Sequence, residues 1–282
     1  MKIKSFDQIA SNYKTVFFDA FGVLKNHKGL IPGIERTFEF LDKRGIDYYI
    51  LTNDASRSPA DLANWYQSRN IDCITADRII SSGMLAHDWL NLKIKSGKVA
   101  YLGTEQSAHY IETAGLETMP ISNLDLDDVD DIKCLVFLDD EGFDWNNDIN
   151  KVINLLRKKN MPVIVANTDQ NYPVSRTDIA IAVGGLSDMV EKILGKHFIR
   201  FGKPDAQMFM FGYEKACLKQ PLQRDDILMV GDTLFTDIIG GNKFGMDTVL
   251  VLSGNTLAEN AKMKIRSTGI IPTYICESIV FY

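Results

Sequence analysis

The sequence predicts an α/β protein: a doubly wound, Rossmann-like parallel-sheet core carrying a large inserted α/β cap. Three observations lead there. Apolar runs such as Thr15-Val16-Phe17-Phe18 and Ile227-Leu228-Met229-Val230 are continuous rather than alternating, as in strands buried on both faces. Strand-like runs alternate with helix-like segments along the 282 residues. That rhythm restarts near Lys95-Ser96-Gly97-Lys98 and returns to its first form in the last third, so both ends of the chain build one core. The expected division is a core of residues 1–84 and 186–282 with a cap of residues 85–185.

Taken in order, Thr15-Val16-Phe17-Phe18 ends in Asp19 and turns at Gly22. A parallel sheet delivers reactive groups to its carboxyl edge in this way. Turns also favour aspartate for their own reasons, so this stretch alone decides little. Ile31-Pro32-Gly33-Ile34-Glu35 opens a helix that carries Phe38 and Leu41 to Gly45, a C-terminal stop. Asp47-Tyr48-Tyr49-Ile50-Leu51 is the next strand and runs into Thr52-Asn53-Asp54. Ser58-Pro59-Ala60-Asp61 supplies an N-cap, a first-turn proline and an acidic first turn. A helix over 76–92 follows, with Ile79, Ile80, Leu85 and Leu90 facing inward.

In the middle block, Val99-Ala100-Tyr101-Leu102, Cys134-Leu135-Val136-Phe137-Leu138 and residues 162–166 read as strands, and 105–113 and 148–159 as helices. The acidic run Asp125-Leu126-Asp127-Asp128-Val129-Asp130-Asp131 lacks the glycine and terminal glutamate of an EF-hand. It reads as a solvated loop rather than a calcium site. Gly184-Gly185 precedes a helix through Met189 and Ile193. Phe198-Ile199-Arg200-Phe201 is a strand leading to Gly202-Lys203-Pro204, a further strand ends in Gly231-Asp232, and Thr248-Val249-Leu250-Val251-Leu252 is another.

Composition narrows the function. Hydrophobic residues at 45% and charged residues at 24% are globular proportions that fill a core. A net charge of −6 argues against a nucleic-acid binder, which needs a basic stripe. It leaves an anionic substrate open, because a local lysine or metal reverses the sign at one site. Cys73, Cys134, Cys217 and Cys276 form no C-x-x-C and read as reduced core thiols. Residues 1–7 carry no apolar leader segment, and no run approaches ~18 apolar residues, so a cytoplasmic protein without a membrane partner is expected.

Four polar groups fall at the carboxyl ends of four strands: Asp19, Thr52, Lys203 and Asp232. A carboxylate nucleophile, a hydroxyl, a fixed cation and a second carboxylate suit phosphoryl transfer. Two carboxylates can hold magnesium through hard oxygen ligands, and the metal with Lys203 neutralises the phosphoryl charge.

Phe18-Asp19-Ala20-Phe21-Gly22-Val23, Leu51-Thr52-Asn53, Gly202-Lys203-Pro204 and Gly231-Asp232-Thr233-Leu234-Phe235-Thr236-Asp237-Ile238 resemble the four motifs of the haloacid dehalogenase-like (HAD) hydrolases. The likeness is greatest to the NagD-like sugar and nucleotide phosphatase branch and covers nearly the whole chain. Asp19 and Thr52 are too close in sequence for a lid between them, whereas the span from Thr52 to Lys203 has room for that branch's cap. The resemblance implies Asp19 as the nucleophile that forms an aspartyl-phosphate, and Thr52 and Asn53 as holders of phosphate oxygens. It implies Lys203 as a partner of both the phosphate and Asp19. Magnesium would lie on Asp19, the main-chain carbonyl of Phe21 and Asp232, with Asp237 in support. Val165-Ala166-Asn167-Thr168-Asp169 resembles the cap segment that reaches the substrate, making Asn167 and Asp169 candidate selectors. Caps in this branch often pair, which makes a homodimer through the cap the assembly to look for, although no apolar stripe demands one.

One position departs from the pattern. The family's phosphatases carry Asp two residues after the nucleophile, as general acid and base; here it is Phe21. A positioned acid or base is worth ~10²–10⁴-fold, or about 2.7–5.5 kcal/mol of barrier. A magnesium-dependent phosphatase of small phosphorylated metabolites is therefore expected to be slow, to favour good leaving groups, or to borrow an acid from the cap. Phe21 also motivates an alternative, a catalytically weak or silent relative that binds a phosphometabolite or a partner. A third reading is true haloacid dehalogenation, since Asp19-Ala20-Phe21-Gly22 resembles that enzyme's Asp-Ala-Tyr-Gly opening. Those enzymes carry their lid between the first two motifs, where this chain has no room.

Overall fold

The computed structural model describes residues 3–175 and 178–281. Its first sheet has six strands in the order Tyr274–Cys276, Asp247–Val251, Ile227–Gly231, Thr15–Phe18, Asp47–Thr52 and Ile79–Ser81, every neighbouring pair parallel. Thr15–Phe18 is central and wholly buried. Successive side chains of a strand point to opposite faces, and here both faces are covered. Val16, Phe18, Ile50, Leu228 and Val230 pack with Ile34, Phe38 and Leu41 of the helix Ile34–Arg44. Phe17, Tyr49, Leu51, Ile227 and Met229 pack on the other side with Met208 and Phe209 of the helix Ala206–Cys217. The continuous apolar runs are explained by this double burial.

The second sheet has five parallel strands in the order Ile199–Arg200, Val163–Val165, Ile132–Phe137, Lys98–Leu102 and Glu117–Pro120. One face meets the helices Trp145–Lys158 and Val183–Leu194 through residues such as Val152, Leu155, Val183 and Val190. The other face, through Val99, Tyr101, Val136 and Ile164, joins the apolar cluster of the first sheet by way of Leu85 and Leu90 of the helix Ser82–Lys93.

The local signals for Gly45 and Ser58 hold. Gly45 ends its helix at φ +67°, and Ser58 Oγ accepts from the Asp61 N–H at 3.1 Å. Several expectations need correction. The segment 76–92 is not one helix: a short 3-10 turn leads into the edge strand Ile79–Ser81, and the helix starts at Ser82. Ile79 and Ile80 each pack on a different face of the sheet, which adjacent residues of a helix could not do. Ile199–Arg200 pairs with Val163–Val165, so it belongs to the second sheet. The helix Val183–Leu194 packs there too, with both glycines 184 and 185 inside it, so the return to the core lies beyond residue 200 rather than at 186. The expected boundary at 84/85 falls inside the helix Ser82–Lys93. Among the described residues no helix is long and apolar enough to cross a membrane.

Candidate active site

Asp19 continues the central strand, its N–H donating to the Val230 carbonyl at 2.8 Å. The chain then turns at Gly22, at φ +81° and so close to Asp232 that a Cβ would lie 1.9 Å from its Oδ2. Asp232 follows the neighbouring strand Ile227–Gly231, which places the two carboxylates side by side on the sheet's carboxyl edge. The π-helical turn Leu234–Ile238 then brings back Asp237, whose Oδ2 accepts from the Thr233 N–H at 3.1 Å. Such turns widen a helix by one residue and recur at functional sites. Lys203 Nζ bridges Asp19 Oδ1 at 2.6 Å and Asp237 Oδ1 at 2.8 Å.

Burial sets the electrostatics. The Asp19 side chain keeps 15% of its surface exposed and the Lys203 side chain 2%, so the carboxylate faces the cavity with the cation behind it. Burial opposes the charge on Lys203, but Asp19, Asp237 and Asp169 together hold its pKa above the usual lysine value. Burial, offset in part by Lys203, pushes Asp237 up to about 7. Burial, followed by the charges of Asp19 and Asp237, raises Asp232 well above the carboxylate range. Asp232 is held by the Asn255 N–H at 2.6 Å and the Thr233 hydroxyl at 2.8 Å, with no ion-pair partner among the described residues. Oxygens of Asp19, Asp232 and Asp237 lie within 4.8 Å of one another. Three carboxylates against one lysine, all with oxygen donors, fit a divalent cation of the hard type.

Of these groups Asp19 lines a cavity of about 860 Å³ between the two sheets' loops, and the other three lie buried behind it. Thr52 and Phe21 line it, as do Asn167 and Asp169 from the second sheet's side. Two predicted positions need revision. Lys203 does not end a strand of the first sheet; it lies where the chain re-enters the core after Ile199–Arg200. Asn53 is buried, and its side chain bonds the main chain of Lys203 and the residues Thr168 and Asp169 instead of facing the cavity. The Asn167 side chain accepts from the Asp169 N–H at 2.9 Å.

The structure also adds residues that the sequence did not single out. Asn255, which fixes Asp232, carries no local signal. Asp139 and Asp140 line the cavity and do carry one, because Phe137-Leu138-Asp139 ends an apolar strand in an acid as Phe18-Asp19 does. Burial, then Asp140, pushes Asp139 up to about 7. Burial raises Asp140 as well, while the Tyr172 hydroxyl, donating at 2.9 Å, works against that rise.

A haloacid dehalogenase-like hydrolase family model matches residues 16–117, and a second, HAD-hydrolase-like model matches residues 200–280. A solved structure from Cytophaga hutchinsonii, described as a possible sugar phosphatase of the HAD superfamily, is 56% identical. It superposes with a TM-score of 0.96 over 100% of this chain and 99% of its own. The chain belongs to the haloacid dehalogenase-like hydrolases. At lower identity, mouse chronophin is 27% identical, over 94% of this chain and 90% of its own. The ribonucleotide monophosphatase NagD of Escherichia coli is also 27% identical, over 92% of this chain and 96% of its own. Between the two matched segments lie the second-sheet strands Ile132–Phe137 and Val163–Val165, whereas Lys98–Leu102 of the same sheet falls inside the first match.

Proposed function

We propose that this hydrolase is a magnesium-dependent phosphomonoesterase of small phosphorylated metabolites, sugar phosphates foremost, acting through an aspartyl-phosphate on Asp19. The observation that carries the proposal is the joining of Lys203 to Asp19 and Asp237 beside the buried Asp232, with Asp19 lining a cavity large enough for a metabolite. Relatives point the same way: an acid sugar phosphatase of Staphylococcus haemolyticus is 25% identical, and a dihydroxyacetone phosphatase of Corynebacterium glutamicum is 26% identical.

Asp19, Asp232 and the main-chain carbonyl of Phe21 would hold magnesium, with Asp237 beside them; bound there, the ion would offset the negative charge of the phosphoryl group. The remaining chemistry belongs to the chain. A carboxylate oxygen of Asp19 forms a bond to phosphorus as the ester P–O bond breaks, and the substrate oxygen leaves as an alkoxide that takes its proton from solvent water. Lys203, paired with Asp19 at 2.6 Å, aims that carboxylate and stabilises charge on the phosphoryl oxygens. Thr52 offers its hydroxyl to those oxygens. Water then cleaves the aspartyl-phosphate, returning free Asp19 and inorganic phosphate. Phe21 cannot exchange a proton with the leaving alcohol, which makes departure of a poor leaving group the slow event.

The test is phosphate release from sugar phosphates, nucleotides, pyridoxal phosphate and p-nitrophenyl phosphate, with magnesium and with EDTA. Wild type should turn over in magnesium, and Asp19→Asn should not. Wild-type turnover retained by Asp19→Asn would end the aspartyl-phosphate mechanism. Phe21 also supports a second reading, a binding protein without turnover; ligand binding with no phosphate release under any metal would favour it.

A further inference from the structure

The Asn53 side chain is turned away from the cavity and fully engaged. Its Oδ1 accepts from the Lys203 N–H at 2.7 Å. Its Nδ2 faces three acceptors: the Lys203 carbonyl at 3.0 Å, Thr168 Oγ1 at 3.1 Å and Asp169 Oδ1 at 2.9 Å. The Thr168 hydroxyl donates to the same Lys203 carbonyl at 2.7 Å. One side chain from the core and one from the cap therefore grip the main chain of Lys203 together.

The fit around this grip is tight. Gly202 sits at φ +125°, and a Cβ there would lie 2.7 Å from Asn53 Oδ1 and 3.1 Å from Thr168 Oγ1. On the far side, a Cβ on Gly184 in the helix Val183–Leu194 would lie 2.5 Å from the Asp169 carbonyl oxygen. An unbroken series of contacts thus runs from a cap helix, through Thr168 and Asp169, to the residue whose ammonium touches Asp19.

We propose that Thr168 and Asp169 are positioning residues: through Asn53 the cap sets the place of Lys203, which is aligned with Asp19 only while cap and core are docked. This inference rests on the phosphatase reading and gives Asp169 a role other than substrate selection. The Lys203 side chain is enclosed and must meet two carboxylates at once, so it cannot absorb a shift of its own backbone. A misplacement of ~1 Å in a catalytic group can cost on the order of 100-fold in rate.

Thr168→Val keeps the shape of the residue and removes its donor to the Lys203 carbonyl. kcat should fall on the order of 10- to 100-fold, by one common factor on every accepted ester. KM should stay within about twofold, the signature of an interaction that acts in the transition state. Thr168→Ser, which restores the hydroxyl, should recover the rate. If Thr168→Val does not fold, judged by its thermal melt, Asp169→Ala carries the test with the same pattern expected. An unchanged kcat in a folded variant, or changes in KM that differ between substrates, would overturn the proposal. Asp19→Asn, run alongside, separates the two levels. Turnover retained there removes the phosphatase reading and this inference with it, whereas an inactive Asp19→Asn beside an unaffected Thr168→Val removes the positioning role alone.

Discussion

Lys203→Met probes the electrostatics of the site most directly. In the folded chain Lys203 Nζ lies 2.6 Å from Asp19 and 2.8 Å from Asp237, with 2% of its side chain exposed. At an effective dielectric of ~20, each attraction has a gross size of about 6 kcal/mol. Much of that offsets the cost of taking the three charges out of water. Removing the cation alone leaves the carboxylates buried without a partner, a change that typically destabilises by about 3–5 kcal/mol. Protonation limits the loss. Asp237 already sits at about 7 with Lys203 beside it, so without Lys203 it takes up a proton more readily still. The sign follows from proton counting. A carboxyl whose pKa rises on folding binds more protons in the folded state, so its contribution to stability falls as pH climbs from the ordinary value of 3.8 through about 7. Urea denaturation in EDTA at acidic and alkaline pH reads this directly. The gap between wild type and variant should be about 3–5 kcal/mol on the alkaline side and should narrow on the acid side, with phosphate release lost at both. An equal gap at the two pH values, or a variant as stable as wild type in alkali, would refute the account.

Other outcomes follow from the same geometry. Phe21→Asp should raise turnover of alkyl phosphates toward the ~10²–10⁴-fold worth of a positioned acid and change p-nitrophenyl phosphate hydrolysis far less; equal gains on both substrates would mean that leaving-group protonation is not limiting. Magnesium should raise the melting temperature of wild type, since a ligand held only by the folded state stabilises it, and should not raise that of Asp232→Asn. An equal rise in both would place the metal elsewhere. Asp139, pushed up to about 7 by burial and Asp140, is a half-buried charge above that pH. Asp139→Asn should therefore melt higher than wild type in alkali and lose this advantage as pH falls toward 3.8, because wild-type Asp139 is then protonated too. A constant difference across that range would show that its charge is not what destabilises.

The sequence by itself determined the parallel-sheet fold class, and it named Asp19, Lys203, Asp232 and Asp237, which the structure brings together. Continuous apolar runs such as Thr15–Phe18 report burial on both faces, and a run ending in Asp19 or Asp232 reports a carboxyl edge; both are local patterns. Gly45 and Ser58 were legible for the same reason, since caps are written within a few residues of the helix end. Only the tertiary structure decided what depended on distant partners. Ile79–Ser81 became a strand because Ile50–Thr52 lay free to pair with it, although the local pattern suited a helix. Ile199–Arg200 joined the second sheet through Val163–Val165, which moved the cap boundary and left Lys203 at the crossing between the two parts. Asn53 lies beside Thr52 in sequence, yet its side chain reaches residues more than a hundred positions away. A motif records which side chains a site contains. Which way each one faces is set by packing and long-range hydrogen bonding, and here that made Asn53 a brace for Lys203 rather than an open phosphate ligand.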